Sequence, residues 1–292
     1  MIDASLFDRG RWAPSTRQAY ESFWRDWCAW TATNGAESFP AKPERVAEYL
    51  TAKAETVSTA SLSGRLACLV AVHKIKRKPL RVNETIIRDA WAEIRRKKGT
   101  ASTPKMALPA EAMHKVIASI PADHLQDRAV LLVGFKAGMR RSELVALNFD
   151  DVAISPAGLH ITIRHSKTDK TGKGQTVTIA RTGTDLCAVA ALEAWLTQAE
   201  ITSGPIFLNK NGRMPAREVA NIAKRWAAAI GIDPKIIGAH SLRSGCITTM
   251  QEAGIDIKSG MELSRHVTPS IYLGYAQVKR GMDSAAVKAL SI

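Results

Sequence analysis

The chain has 292 residues, enough for one large domain or two smaller ones. A hydrophobic content of 46% excludes a disordered chain, and no apolar run approaches the roughly 20 residues of a membrane span. The net charge of +14 and pI near 9.8 exclude an acidic protein and make a polyanion the natural partner, against the plainer reading that excess lysine only keeps the chain soluble. The excess is even. Residues 1–100 carry 18 Lys/Arg against 11 Asp/Glu and residues 101–292 carry 23 against 16, so each part contributes +7. Both parts are drawn to the same polyanion, as in a two-piece clamp around a duplex. Cys28, Cys68, Cys187 and Cys246 form no C-x-x-C pair and read as reduced, buried thiols rather than a zinc site or disulfide framework. Met1-Ile2-Asp3-Ala4-Ser5 lacks a secretory pattern, so the expectation is a soluble cytoplasmic protein with no membrane partner.

The first hundred residues read as a small helical unit. Pro14 opens a helix with Tyr20, Phe23, Trp24, Trp27 and Trp30 at three-to-four spacing, ending near Asn34-Gly35. That stripe has the period of a helix core; the alternative is a platform for stacking bases. Lys42 to Ala54 gives a second helix on Val46, Tyr49 and Leu50, and Ser58 to Lys74 a third on Leu62, Leu66, Leu69 and Val70. Asn83 caps a fourth, with Ile87, Trp91 and Ile94 inward. The third and fourth helices end in Lys76-Arg77-Lys78 and Arg95-Arg96-Lys97-Lys98. Such runs are usually solvated faces; their recurrence on a basic chain favours phosphate contact, with Ser61, Arg65, Lys76, Arg77, Lys78, Lys97 and Lys98 as candidate contacts.

Residues 100–106, containing Thr100-Ala101-Ser102-Thr103-Pro104, read as a linker between a domain at 1–99 and a second at 107–292. Helices follow at Ala110–Ile120 and Leu125–Lys136, closing at Gly138. Leu159, Ile161 and Ile163 alternate with polar residues, as do Val177 and Ile179, across a turn-rich stretch from Lys167 to Gly174, which predicts a β-hairpin. Helical patterns return at Thr184–Leu196, Ala216–Ala229 and from His240 onward. The fold class is mainly α with a small antiparallel sheet.

Two motifs carry chemistry. His240-Ser241-Leu242-Arg243 places a histidine and an arginine on one helix face, and His266 and Tyr275 follow at short intervals. Upstream lies Gly138-Met139-Arg140-Arg141-Ser142-Glu143-Leu144. Metal-free cleavage of a DNA strand needs charge neutralisation on the phosphate, an activated nucleophile, a proton for the leaving oxygen, and in-line alignment. Arginine suits the first task because its fork bonds two oxygens and stays charged. A tyrosine serves as nucleophile once its proton is removed, and lysine beside other cations serves as proton donor.

On these residues the chain resembles the tyrosine recombinases of the phage-integrase family over nearly its whole length, most closely the Cre-type branch. Each motif alone is weak; their order, with a lysine-bearing hairpin between them, is specific. The resemblance implies a helical core-binding (SAM-like) domain followed by a mixed α/β catalytic domain with a C-terminal tail helix. It makes Arg140 and Arg243 phosphate clamps, with Glu143 as a brace. Lys167 becomes the general acid, with Lys170 and Lys173 as rivals on the same turn. His240 manages the tyrosine proton, His266 bonds the scissile phosphate, and Tyr275 is the nucleophile by family spacing, with Tyr272 as rival. It further implies a 3′-phosphotyrosine intermediate, a Holliday junction, no metal, no ATP or other cofactor, and a homotetramer on double-stranded DNA with inverted-repeat sites. Without DNA the protein would be a monomer; bound, it would sit on the nucleoid. Met282, Ala286, Val287 and Leu290 in the tail form a short amphipathic pattern, docking on a neighbour or folding back on their own domain.

The plainer readings are an Arg140–Glu143 surface ion pair and a helix-start His240. Arg265 departs from the family pattern, where glycine usually precedes the histidine; it either adds a cation beside the phosphate or points outward. Two other functions are carried alongside, a catalytically silent DNA-binding accessory protein and a type IB topoisomerase-like relaxing enzyme.

Overall fold

Prolines and small capping residues set where the N-terminal helices begin. In the computed structural model, which describes residue 7 and residues 12–99, 105–164, 166 and 174–275, α1 (Pro14–Thr33) and α2 (Pro43–Ala54) each start on a proline, whose missing N–H is no loss in a first turn. Ser58 caps α3 (Thr59–Ile75), its hydroxyl accepting from the Ser61 amide at 3.2 Å. Before α4 (Thr85–Lys98) the N-cap is Glu84, not the expected Asn83.

These helices belong to the first of two compact units, Met1–Thr103 and Pro104–Ile292. The aromatic stripe of α1 turns inward: Trp24 and Trp27 are buried, and Trp27 meets the Tyr49 ring edge-on at 5.0 Å and stacks on Trp30 at 5.8 Å. Trp27 Nε1 donates to the Ser38 carbonyl at 2.8 Å. These rings are core, with Tyr20, Phe23 and Trp30 partly buried against it. His73 ties the loop before α2 to α3, with Nε2 accepting from the Ala41 amide at 2.8 Å and Nδ1 lying 2.8 Å from the Leu69 carbonyl. That pairing puts the hydrogen on Nδ1 and requires a neutral ring. Burial accordingly holds its pKa below the ordinary 6.5, outweighing the bond to Leu69.

The second unit is built around α6 (Leu125–Lys136), buried along most of its length from Ala129 to Phe135. Around it stand α5 (Ala110–Ser119), α7 (Arg141–Ala146), α8 (Ala188–Gln198), α9 (Ala216–Ala229) and α10 (His240–Glu252), followed by α11 (Ile257–Ser264) and α12 (Pro269–Leu273). The antiparallel sheet has the order β1 (Val152–Ile154), β2 (Gly158–Ile163), β3 (Gln175–Ala180), with Ile161 opposite both Val152 and Val177. Leu159, Ile161 and Ile163 face the core while His160 and Thr162 face outward, as the alternation predicts. A two-residue pair, β4 (Leu208–Asn209) and β5 (Gly212–Arg213), completes the strands among the described residues.

The mainly helical fold with a small antiparallel sheet matches the sequence reading, with differences in its elements. A third strand, β1, joins the hairpin. The helical stretch expected from His240 onward is, among the described residues, three helices, interrupted at Gly254, which has a positive φ, and at the turn before Pro269.

His73 has a consequence for pH. Its folded pKa lies below its unfolded value near 6.5, so its stabilising contribution is complete above 6.5 and is lost as pH falls from there through the folded value. Thermal unfolding followed by tryptophan emission is expected to move to lower temperature below about pH 6.5, with a shallower slope in His73→Gln. An equal slope in both proteins would remove His73 from the account.

Candidate active site

The site begins at a helix end. α6 stops at Lys136, and Gly138, with φ +52°, reverses the chain while the amides of Gly138 and Met139 bond the carbonyls of Phe135 and Gly134, each at 3.0 Å. This turn delivers Arg140 to the N-cap of α7. Glu143, in the first turn of α7, accepts the Arg140 amide on Oε2 at 3.0 Å and Arg140 Nη1 on Oε1 at 2.7 Å. Ser166, beyond β2, donates to the same Oε1 at 3.1 Å and accepts from Arg140 Nη1 at 3.1 Å.

From α10 comes Arg243, only 1% exposed, whose Nη1 donates to the Gly138 carbonyl at 2.6 Å. Its Nη2 lies 3.2 Å from His266 Nε2. Ser264 gives its hydroxyl hydrogen to the Gly260 carbonyl at 2.6 Å and sits 2.8 Å from His266 Nδ1, so Nδ1 carries the ring hydrogen and Nε2 is the acceptor facing Arg243.

Arg265 takes neither course left open by the sequence. It points inward, buried, with Nη1 on the carbonyls of Ala137 (2.9 Å) and Leu263 (3.0 Å) and Nη2 on the Gly138 carbonyl (3.1 Å) and Glu143 Oε2 (3.0 Å). Its backbone is left-handed, φ 58° and ψ 42°, at the C-terminal turn of α11, where its amide and that of His266 bond the carbonyls of Glu262 and Met261. Glycine is the residue that turn favours, and a side chain there costs roughly 1–2 kcal/mol.

The electrostatics follow from this packing. Burial alone would raise the Glu143 pKa, but hydrogen bonds from Arg140 and the charges of Arg265 and Arg140 hold it below the ordinary glutamate value. Burial, then repulsion from Arg140 and Arg265, pulls Arg243 down to about 10, so it stays charged at neutral pH. Burial and the same three arginines lower His266 to about 4, leaving a neutral ring. Two of the three guanidiniums, Arg140 and Arg265, thus bond one carboxylate, and Arg243 lies within its field. The plainer reading of Arg140 and Glu143 as a surface pair fails, since the Glu143 side chain is 2% exposed. Among the described residues no cluster of His, Cys, Asp or Glu is arranged to hold a metal ion.

The two tyrosines are unlike. Tyr272 is buried, its pKa raised chiefly by burial, and its hydroxyl finds no partner among the described residues. Its phenol fills the space beside Gly260, where a Cβ would come within 2.0 Å of Oη. Tyr275 is half-buried, and its ring centroid lies 5.1 Å from that of His266. His240 is exposed at the start of α10, three residues before Arg243. Lys167 and its rivals Lys170 and Lys173 lie outside the described residues, as does the tail from Ala276. The structure therefore groups Arg140, Glu143, Arg243, His266 and Tyr275, and adds Ser166, Ser264 and Arg265, which sequence reasoning did not place. The signal for Arg265 was available as a non-glycine at a helix-ending turn; Ser166 and Ser264 had none.

In the first unit, Lys76, Arg77 and Lys78 are exposed beyond α3. Arg65 is engaged internally: it bonds Asp26 at 3.2 Å and Ser61 at 2.6 Å, beside Tyr49 and Lys53 on the same carboxylate. Lys97 pairs with Glu93 at 2.7 Å, and Lys98 donates to the Ala54 carbonyl.

Comparison with known proteins agrees with the geometry. The phage integrase family matches residues 107–281. An integrase/recombinase XerD homolog from Selenomonas ruminantium is 30% identical over 279 residues, covering 91% of this chain and 82% of that protein. Among solved structures, the Tn1549 transposon integrase in complex with circular intermediate DNA aligns with a TM-score of 0.65 at 17% identity, covering 98% of both chains. The XerH site-specific recombinase bound to palindromic difH substrate aligns at 0.62 and 17% identity, covering 89% of this chain and 73% of that one. The chain belongs to the phage integrase family, the tyrosine recombinases. These relatives do not single out the Cre-type branch.

His266 offers a direct check. Its ring 15N shifts are expected to stay those of the neutral Nδ1–H tautomer from about pH 8 to about pH 5, and its pKa to rise when a phosphate is bound. A midpoint near the ordinary 6.5 in the free protein would show that the arginines do not act on it.

Proposed function

We propose that this chain is a site-specific DNA recombinase that cuts and rejoins strands through a 3′-phosphotyrosine intermediate. The observation that carries this reading is the grouping of three guanidiniums around one carboxylate, two of them bonded to it, beside a half-buried tyrosine. Among these groups two positive charges remain to receive an anion. A scissile phosphodiester supplies one negative charge, and charge on its oxygens grows as the attacking oxygen bonds, so the surplus favours the transition state over the bound substrate.

Arg140 and Arg243 hold the non-bridging oxygens. The Tyr275 phenol oxygen attacks phosphorus, its proton passing to His240, while the P–O5′ bond breaks and Lys167 protonates the departing 5′-oxygen. Lys167 directly follows Ser166, whose hydroxyl is bonded to Arg140 and Glu143, which supports a lysine delivered to this cluster. His266 donates to the phosphate from Nε2 once that nitrogen, released from Arg243, takes up a proton, which the phosphate's negative charge favours. A 5′-hydroxyl from the partner duplex then attacks the phosphotyrosine, so bond energy is conserved through the Holliday junction without metal or ATP. Tyr272 is set aside as nucleophile because its hydroxyl is buried against Gly260.

The partner is double-stranded DNA with inverted-repeat sites, engaged by residues 107–292 and by the helical domain at 1–99. Exposed Lys76, Arg77 and Lys78 are its best phosphate contacts; Arg65 is engaged by Asp26 and Ser61. A homotetramer forms on DNA from monomers when the tail of one protomer covers the next. Ile257, Val267, Ile271 and Leu273, exposed on and around α11 and α12, with Val267 at 77%, offer an apolar surface for it. Among the described residues no helix is long and apolar enough to cross a membrane, and the protein is assigned to the cytoplasm, on the nucleoid when bound.

Two experiments test the chemistry, using a duplex site selected by the full chain from a randomised library and nicked to trap the intermediate. An SDS-resistant protein–DNA adduct is expected, absent in Tyr275→Phe and retained in Tyr272→Phe. No adduct would leave the silent DNA-binding reading, and relaxation of supercoils without site preference would favour the topoisomerase-like one. Lys167→Ala is expected to slow cleavage about 10²–10⁴-fold and to recover when the 5′-bridging oxygen is replaced by sulfur, which leaves without a proton. Without recovery, the general acid is another group.

A further inference from the structure

We propose that Arg265 is a positioning residue that fixes the two clamp arginines, Arg140 and Arg243, relative to each other by gripping the group that orients each one. The proposal rests on the recombinase reading above and deepens it.

Arg140 is oriented by Glu143, which takes both its amide and its guanidinium. Arg243 is oriented by the Gly138 carbonyl. Arg265 Nη2 bonds both orienting groups, Glu143 Oε2 at 3.0 Å and the Gly138 carbonyl at 3.1 Å. One nitrogen therefore joins the anchor of the first clamp to the anchor of the second. Its Nη1 holds the Ala137 and Leu263 carbonyls at the ends of α6 and α11, so the same guanidinium locks together the helix ends from which Arg140 and His266 emerge. Only a planar fork reaches four acceptors at once; an ammonium on the same stem satisfies one anchor or the other.

A purely structural role accounts poorly for this residue. Glycine would close α11 without strain, and Arg265 instead holds a left-handed backbone conformation. Its charge is buried beside two other guanidiniums, which repel it and which it repels. Its Nε finds no partner among the described residues. These are features of a group kept for where it places its neighbours rather than for the stability of the turn.

Arg265→Gly separates the two roles because it removes the link and relieves the backbone at once. The full-length protein is compared with Arg265→Gly, Arg265→Lys and Tyr275→Phe on the selected nicked duplex, measuring melting temperature, duplex affinity and single-turnover adduct formation at saturating protein. Arg265→Gly is expected to stay folded, to bind the duplex within about threefold of the parent, and to form the adduct about 10–100-fold more slowly, the scale of a misplaced catalytic group. Arg265→Lys, which keeps the charge without the fork, is expected to fall between them. Adduct formation at the parent rate in Arg265→Gly overturns the proposal. So does a loss of affinity as large as the loss of rate, which would make Arg265 a DNA contact, or full activity in Arg265→Lys, which needs no fork. Should Arg265→Gly unfold, the lysine variant decides alone: slowed at unchanged affinity supports the link, unslowed overturns it. If the parent gives no adduct that depends on Tyr275, the recombinase reading itself falls, a result distinct from a parent that cleaves beside an equally fast Arg265→Gly.

Discussion

The Glu143 carboxylate is the interaction on which the site depends. Its two oxygens accept four hydrogen bonds, from the Arg140 amide, the Arg140 guanidinium, the Ser166 hydroxyl and Arg265, and together these saturate its lone pairs. A single buried carboxylate thus makes it possible to bury two arginines, Arg243 and Arg265, beside a third, Arg140, that is part-buried. Without it the guanidiniums would face one another across a medium that screens them poorly. The same carboxylate starts α7, so helix initiation and charge compensation are one event. Arg140 cannot take its place unless the helix has begun, and the helix begins by holding Arg140.

Around that carboxylate the fold brings together two helix ends. α6 and α11 both finish in left-handed turns, one on Gly138 and one on Arg265, and the two turns abut: a Cβ on Gly138 would lie 3.8 Å from Ser264 Cα. Carbonyls freed at the ends of helices need donors. Here Arg243 and Arg265 supply them on Ala137, Gly138 and Leu263, so groups that would otherwise be left over from helix termination become the sockets of the cationic side chains. The breaks in the C-terminal helical stretch are required by this arrangement, because a continuous helix from His240 onward could not return His266 to Arg243.

Much of this was legible beforehand. The mainly helical class, the hairpin at 158–180 and the helices of the N-terminal unit follow from hydrophobic period alone, because each buries one face against one core. The constellation of Arg140, Glu143, Arg243, His266 and Tyr275 was readable from motif spacing. What spacing cannot carry is the direction of a side chain whose partners are backbone carbonyls from distant segments. That is why Arg265 stayed ambiguous, and why Ser166 and Ser264 went unnoticed: a serine reads alike at a turn and in a relay. The internal partner of Arg65 was hidden for the same reason. Its basic neighbours suggested an outward cation, while Asp26, 39 residues earlier, claims it. The strand β1 escaped because three residues are too few to show a period.

The packing of Tyr272 gives α12 a ruler. Its phenol is seated in a socket that exists only because residue 260 has no side chain, and this peg sets both the rotation and the height of the short helix. Tyr275 is then metered from the peg by three residues and a single turn bond, its amide on the Tyr272 carbonyl at 3.2 Å. One residue more or fewer between the two would swing the second ring by about 100° about the helix axis while leaving the peg seated. The reach of the proposed nucleophile is therefore gauged from a buried tyrosine.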